Sequence, residues 1–233
     1  LGALESLELP FRAPRPIAIM PDPHGPALVE TAVAGVLLDF RPGRNHPRPW
    51  ELVAQVAAAV HRAPVEPCEP VLPPAASRRE HAESMLGVLA GLDRPELRDA
   101  AQWIGENMPS EQPATLVHGD LLGQNVLLCA DEPPGLIDWE RAGFGDPAAD
   151  LAVVTRGSRR PFKNPRGLDR LLDAYADAGG TAVTAREVRL YEILMVAGWY
   201  REALAGGSAH VGPPDGLARQ VARLVASADA STS

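Results

Sequence analysis

Lysine is nearly absent from this chain: Lys163 is the only one among 22 basic residues, and the rest are arginine. The formal net charge is -8. That balance excludes a generally basic surface for nucleic acid or anionic lipid and tolerates cationic substrates. Cysteine is scarce as well. Cys68 and Cys129 stand too far apart for a thiolate zinc clip and too few for a disulfide framework, so they read as reduced thiols of a cytoplasmic protein. Long apolar runs are missing. The longest, around Ala27 to Leu38, is broken by Glu30, Thr31 and Gly35 and is too short to span a bilayer. No secretory signal pattern is present, and the first residue is Leu1 rather than Met, which leaves a fragment, a processed product or a trimmed chain open. What is there is a 233-residue chain with 45% hydrophobic and 22% charged residues. This is the composition of a soluble globular protein, large enough for one large domain or two small lobes.

Punctuation and periodicity divide the chain. Leu1 to Leu9 reads as a helix end stopped by Pro10, Pro14 and Pro16. Ile17–Met20 and Ala27–Ala34 read as strands joined by the turn Pro21 to Gly25. A helical stripe at Leu52, Val53, Val56, Ala57 and Val60 predicts a helix over Trp50–His61. The proline-rich Val65–Ala76 reads as an extended connector. Helices are predicted at Arg79–Leu92, Arg94–Met108, Ala148–Thr155, Leu168–Ala178, Ala185–Leu204 and Leu217–Ala228. Between them lies a small hairpin, Val126–Cys129 and Gly135–Ile137, turning at Ala130–Pro134. Strands early and helices late make an α+β arrangement, with no internal repeat.

The polar cluster is at the mouth of that hairpin. Leu116 to Leu128 reads LVHGDLLGQNVLL, an apolar stretch interrupted by His118, Asp120, Gln124 and Asn125. A hairpin returns its ends to each other, so Asp138 is predicted to lie beside Asn125, with Asp120 converging on both. An Asn carbonyl and an Asp carboxylate suit magnesium, which takes few protein oxygens alongside phosphate and water. A further carboxylate accepts or orients the proton of a substrate hydroxyl. These are the parts phosphoryl transfer requires. Taken singly, each residue has an ordinary structural reading as a turn residue or a helix cap. The joint pattern is more specific: H-G-D-x-x-x-x-N, then I-D-W-E at Ile137–Glu140, then G-D-P-x-x-D-L-A from Gly145 to Ala152.

Those three motifs resemble the aminoglycoside phosphotransferase family of small-molecule kinases. In order of elements the resemblance extends from Phe11 to Leu204. It implies a protein-kinase-like fold: residues 1–34 as a remnant of the amino-terminal nucleotide-binding lobe and its hinge, and residues 35–233 as a mostly helical carboxy-terminal lobe. It implies ATP (or GTP) and magnesium as cofactors and a hydroxyl-bearing small molecule as substrate, with no nucleic-acid or membrane partner. Asp120 would be catalytic, and Asn125 and Asp138 would hold the metal. His118 and Asp150 would support the loop, as would His61 as a structural helix histidine. Leu127 and Ile137 would floor the adenine, whose edge would meet backbone near Glu30, Thr31 and Ala32.

Two departures stand out. The family has His-Pro-Gly where this chain has Leu122-Gly123-Gln124, with the spacing kept. The family also has a turn over the phosphates and a strand lysine paired with a helix glutamate, and nothing before Ala27 fits either. Glu5 and Glu8 lie in the right neighbourhood for that helix but too close to its end for the pairing. The chain therefore reads as beginning inside the family's first lobe, and arginine is no equivalent for the missing point charge. On the acceptor side, Asp173, Asp177, Glu187, Glu192 and Glu202 with Tyr175, Tyr191, Trp199 and Tyr200 suggest an acidic, aromatic pocket for a cationic or sugar-like alcohol. Glu192, Trp199 and Tyr200 are its leading members. The same residues also read as a solvated helix face over core aromatics. Arg156, Arg159 and Arg160 read as a surface basic turn or as a contact for phosphate or an anionic substrate. A kinase-like binding module without catalysis is the second functional reading. A zinc hydrolase built on His118, Asp120 and Asp138 is a weak third, since no second histidine cluster exists.

Overall fold

The computed structural model describes residues 9–21, 23, 25–64, 77–207 and 212–230. The predicted helix before Pro10, apart from Leu9, the tip of the Pro21–Gly25 turn, the connector at Val65–Ala76 and Cys68 lie outside these residues. Cys129 is exposed and unpaired.

Three small antiparallel sheets precede and interrupt the helices. Strand β1 (Pro16–Met20) pairs with β2 (Ala27–Glu30). Strand β3 (Val36–Leu37) pairs with β5 (Val126–Leu128), which pairs in turn with β6 (Gly135–Leu136). Strand β4 (Thr115–Val117) pairs with β7 (Gly143–Gly145). The second predicted strand ends at Glu30 rather than Ala34, because the chain turns there: the Thr31 amide donates to the Arg15 carbonyl at 2.9 Å, and the Thr31 hydroxyl accepts from the Arg15 amide at 2.9 Å. Arg12 then ties this region to the hairpin. Its Nη2 donates to the Ala34 carbonyl and its Nε to the Pro133 carbonyl, both at 2.9 Å, while its backbone bridges Gly135. Ile17, Ile19, Met20 and Leu28 of the first sheet are exposed.

The helices form the core. Helix α1 (Pro49–His61) starts with proline at its first turn, where no backbone N–H is needed. Ten of its residues are buried, four of them alanines that let neighbouring backbones approach. Helix α2 (Arg78–Met85) is capped by Ser77, whose hydroxyl accepts from the Glu80 amide at 3.1 Å. The helix predicted over Arg79–Leu92 stops at Met85 and tightens into a 3₁₀ turn, Leu86–Leu89, around Gly87, a poor helix former. Helix α3 (Pro95–Glu106) again opens on proline. Helix α4 (Pro147–Thr155) is capped by Asp146, which accepts from the Ala148 amide at 2.9 Å. Helix α5 (Gly167–Asp177) packs on α1. Helix α6 (Ala185–Leu204) begins with a reciprocal Thr184–Glu187 capping box and packs on α4 and on α7 (Pro214–Ala230). Among the described residues no helix is long and apolar enough to cross a membrane.

The segment between β4 and β5 lies where α1, α4 and the hairpin meet. The α1–α5 seam carries much of the helical body. Leu171 on α5 is fully buried in the core. Leu171→Ala is expected to cost about 2–5 kcal/mol of unfolding free energy, measured by urea denaturation, from lost burial plus the cavity left behind.

Candidate functional site

The loop between β4 and β5 is anchored from below. Asp150, one turn into α4, has no solvent exposure. Its Oδ2 accepts the His118 amide at 2.7 Å and its Oδ1 the Gly119 amide at 2.8 Å. His61 Nε2 lies 3.0 Å from the same Oδ2, and His61 Nδ1 is 2.7 Å from the Tyr175 hydroxyl. A neutral His61 protonated on Nε2 satisfies both contacts, with the tyrosine donating to Nδ1. Burial opposes the charge on Asp150, but the hydrogen bonds it accepts from the His61 ring and the His118 amide outweigh it and hold the carboxyl below its ordinary range. Gly119 is required at its position. Its φ is +79°, and a Cβ there would stand 2.2 Å from the Arg141 carbonyl oxygen.

His118 joins the loop to the hairpin. Its Nδ1 accepts the Asp120 amide at 3.3 Å, which leaves Nε2–H to donate to the Ile137 carbonyl at 3.0 Å. Its ring packs edge-on against Trp139 at 4.8 Å. The Leu122–Gln124 substitution leaves a compact turn. Gly123–Asn125 forms one 3₁₀ turn, closed by the Asn125 amide donating to the Leu122 carbonyl at 2.9 Å.

Asn125 is nearly buried, and its side-chain nitrogen donates twice to Asp120, to the backbone oxygen at 2.7 Å and to Oδ2 at 3.1 Å. The opposite amide orientation would set oxygen against two oxygens, so the side-chain carbonyl must face away from Asp120. The Ile137 amide donates to the Asn125 backbone carbonyl at 3.0 Å, so the hairpin returns Asp138 to within one residue of that contact. Asp138 is exposed and has φ +67°, a left-handed conformation that aspartate tolerates better than most residues. One free amide oxygen and one exposed carboxylate fit a hard cation that keeps most of its ligands as phosphate and water. Among the described residues no group of three or more His, Cys, Asp or Glu side chains gathers as a metal site.

A cleft of about 760 Å³ opens beside Asp120. Trp199 lines it, as do Met85, Val88, Phe144, Leu194 and Met195. The other two leading acceptor residues are elsewhere. Glu192 is fully buried, with its Oε1 accepting the Gly157 amide at 3.2 Å and the Thr155 hydroxyl, and its Oε2 pairing with Arg189. Tyr200 is a core side chain. Neither lines the cleft, because α6 turns both faces into protein. Asp173 and Asp177 line a separate groove between α1 and α5. The acidic pocket read from these helices is therefore not the pocket beside Asp120. Sequence reading also missed His81, which lines the cleft. Its Nδ1 accepts the Asp146 amide at 3.1 Å and its ring stacks on Tyr191. Burial pulls His81 below its ordinary pKa. The spacing of His81, Met85 and Val88 marked a shared face, but nothing in the sequence said what that face met.

Leu127 is buried and Ile137 half-buried at the hairpin's two arms. Of the three hinge residues, Thr31 has its amide engaged by the Arg15 carbonyl, and Glu30 stands opposite Pro16, which has no amide hydrogen to offer it. Ala32 lies just beyond them and is exposed.

Removing the buried anchor gives a direct test. Asp150→Ala is expected to cost about 3–5 kcal/mol, since it strands buried donors. The lowered carboxyl also gives a pH signature. The wild type's advantage is present in full above the ordinary carboxyl value of 3.8 and falls as pH drops from there through the lower folded value. Urea titrations of both proteins from neutral to acid pH check it.

The sequence profile of the phosphotransferase enzyme family matches residues 1–191. An aminoglycoside 3'-phosphotransferase of Streptomyces fradiae is 30% identical over 161 residues, covering 62% of this chain and 57% of that protein. The chain thus spans a little over half the length of that relative. Among solved structures, a macrolide 2'-phosphotransferase type I superposes with a TM-score of 0.66 at 22% identity, over 95% of this chain and 76% of that one. The GDP complex of aminoglycoside 2'-phosphotransferase-IIIa gives 0.66 at 16% identity, over 93% and 76%. The fold is the mixed α and β, kinase-like fold of these phosphotransferases, and the chain belongs to the phosphotransferase enzyme family.

Proposed function

We propose that this chain carries the catalytic part of a small-molecule kinase that transfers the γ-phosphoryl group of ATP or GTP, with magnesium, to a hydroxyl. The observation that carries the reading is the Asn125 side chain. Its two N–H groups are engaged by Asp120, so its oxygen and the Asp138 carboxylate are left to one cation at the hairpin mouth. Asn125 and Asp138 would hold magnesium, which would neutralise charge that develops during transfer. Asp120 lies on the other side of the same turn and lines the cleft. Its carboxylate orients the acceptor hydroxyl and takes its proton as the oxygen attacks phosphorus in line, and the nucleoside diphosphate leaves. His118 and Asp150 act through the loop they hold. Leu127 and Ile137 form the apolar floor for the base, and Ala32 with the residues after it supplies the edge. In this reading residues 1–34 contribute the strand pair and hinge, and residues 35–233 the catalytic and acceptor region.

Calorimetric titration with ATP, with and without magnesium, tests the site. Magnesium-dependent binding is expected, and Asp138→Ala is expected to abolish it. With an acceptor in hand, Asp120→Ala is expected to lower turnover by roughly 10²–10⁴-fold. Unchanged turnover would refute the role given to Asp120.

One observation favours a non-catalytic binding module instead. Lys163, the chain's sole lysine, sits exposed in the 3₁₀ turn Pro161–Lys163 and not on a strand of the first sheet. Magnesium–ATP binding without phosphate transfer to any alcohol in a broad screen would support that second reading.

A further inference from the structure

The charges that line the cleft do not suit a polycation. Apart from Asp120, the only carboxylate there is Glu140, and it is shared with Arg141 at 4.0 Å on the exposed rim. His81 is half-buried and held toward its neutral form by partial desolvation. The remaining walls are apolar: Met85, Val88, Phe144, Leu194 and Met195.

Arg156 is different. It lines the cleft, it is exposed, and its guanidinium lies over the Trp199 ring, 5.1 Å from the centroid. Among the described residues no carboxylate pairs with it. Its placement is fixed by its neighbours. Arg156 caps α4 in a left-handed conformation, φ +52°, which a non-glycine residue adopts only when its surroundings impose it. The buried Glu192 carboxylate supplies that constraint by holding the Thr155 hydroxyl on one side and the Gly157 amide on the other. The indole beneath limits the guanidinium's swing, and both side chains line the cleft. Arg156 and Leu122 also border a neighbouring depression of about 470 Å³ that includes Gln124 and Phe40, so an extended ligand has room to continue past the arginine.

We infer that the acceptor is an alcohol with an apolar body and an anionic group, its hydroxyl at Asp120 and its anion on Arg156. This rests on the phosphotransferase reading for the role of the hydroxyl. A guanidinium that is held in place, unpaired and backed by an aromatic face receives a carboxylate or phosphate with little ordering left to do. A polyamine would meet the same charge as repulsion and find no carboxylate but Asp120 and the rim Glu140.

Three probes share one apolar body and differ at one end: hydroxydecanoate, decanediol and aminodecanol, each with its hydroxyl at the far terminus. Calorimetric titration of the intact chain without nucleotide is expected to bind hydroxydecanoate about tenfold tighter than decanediol. Aminodecanol is expected to be weakest. Arg156→Gln, an exposed substitution, is expected to erase the carboxylate preference and leave decanediol affinity within about twofold. Equal affinities, tightest binding of aminodecanol, no binding of any probe, or a preference that survives Arg156→Gln would each overturn the inference. Since these titrations contain no nucleotide, such a failure leaves the kinase reading standing. Failure of that reading appears instead as loss of magnesium–ATP binding in its own titration.

Discussion

The Asp150 carboxylate has no contact with solvent, yet four elements meet on it: the loop after β4 through two backbone amides, α1 through His61, α5 through Tyr175 behind that histidine, and α4 itself. A backbone amide pair has fixed direction and spacing. A carboxylate that accepts both therefore sets the orientation of the peptide between His118 and Gly119, and with it the direction in which Asp120 leaves the loop. The same geometry explains why Gly119 admits no side chain, since the peptide held this way runs against the Arg141 carbonyl. Buried charges are poor sources of net stability because desolvation offsets most of what their partners return. Here the carboxylate is better understood as a device for position.

Helix α4 is tethered by carboxylates along its whole length. Asp146 caps its start, accepts from the Tyr191 hydroxyl and stands against the His81 ring, although burial pushes its own pKa up. Asp150 fixes the loop after β4 from the helix's first turns. Glu192, across on α6, closes the far end by holding Thr155 and Gly157. Both ends of a nine-residue helix are thus fixed relative to the cleft. The loop at one side and the Arg156 backbone at the other are positioned by one rigid element.

The parts that sequence made legible are those whose signal is local. Helices α1 and α3 to α7 carry apolar periodicity or proline and cap punctuation, and the β5–β6 hairpin carries its own turn, which is why Asp138 could be placed beside Asn125. Strands β3, β4 and β7 were not legible. Each has two or three residues, two of the three in β7 are glycines, and their partners lie far along the chain. Glu192 misled for a related reason. A glutamate on a helix is ordinarily solvated, and only the turn after Thr155, brought against α6 by the packing of α4, supplies the donors that make its burial tolerable. Tyr200 follows the same logic. It sits on a helix buried on more than one face, so its aromatic ring carried no information about which neighbour it would find.

Chemistry and recognition draw on different kinds of structure in this cleft. Asp120, Asn125 and Asp138 sit on a loop and a hairpin whose geometry is set by backbone hydrogen bonds and by the buried Asp150 carboxylate, which does not line the cleft. The acceptor walls come from α2, the 3₁₀ turn after it, α4 and α6, and their chemistry depends on side chains alone. Exchanging Met85, Val88 or Met195 for polar groups would change the chemistry of the cleft without moving the Asp120 carboxylate. Likeness of fold and shared motifs therefore extend to the reaction more securely than to its acceptor. For this chain the wall residues, and Arg156 among them, are the better guide to substrate than the names of proteins that share its loop.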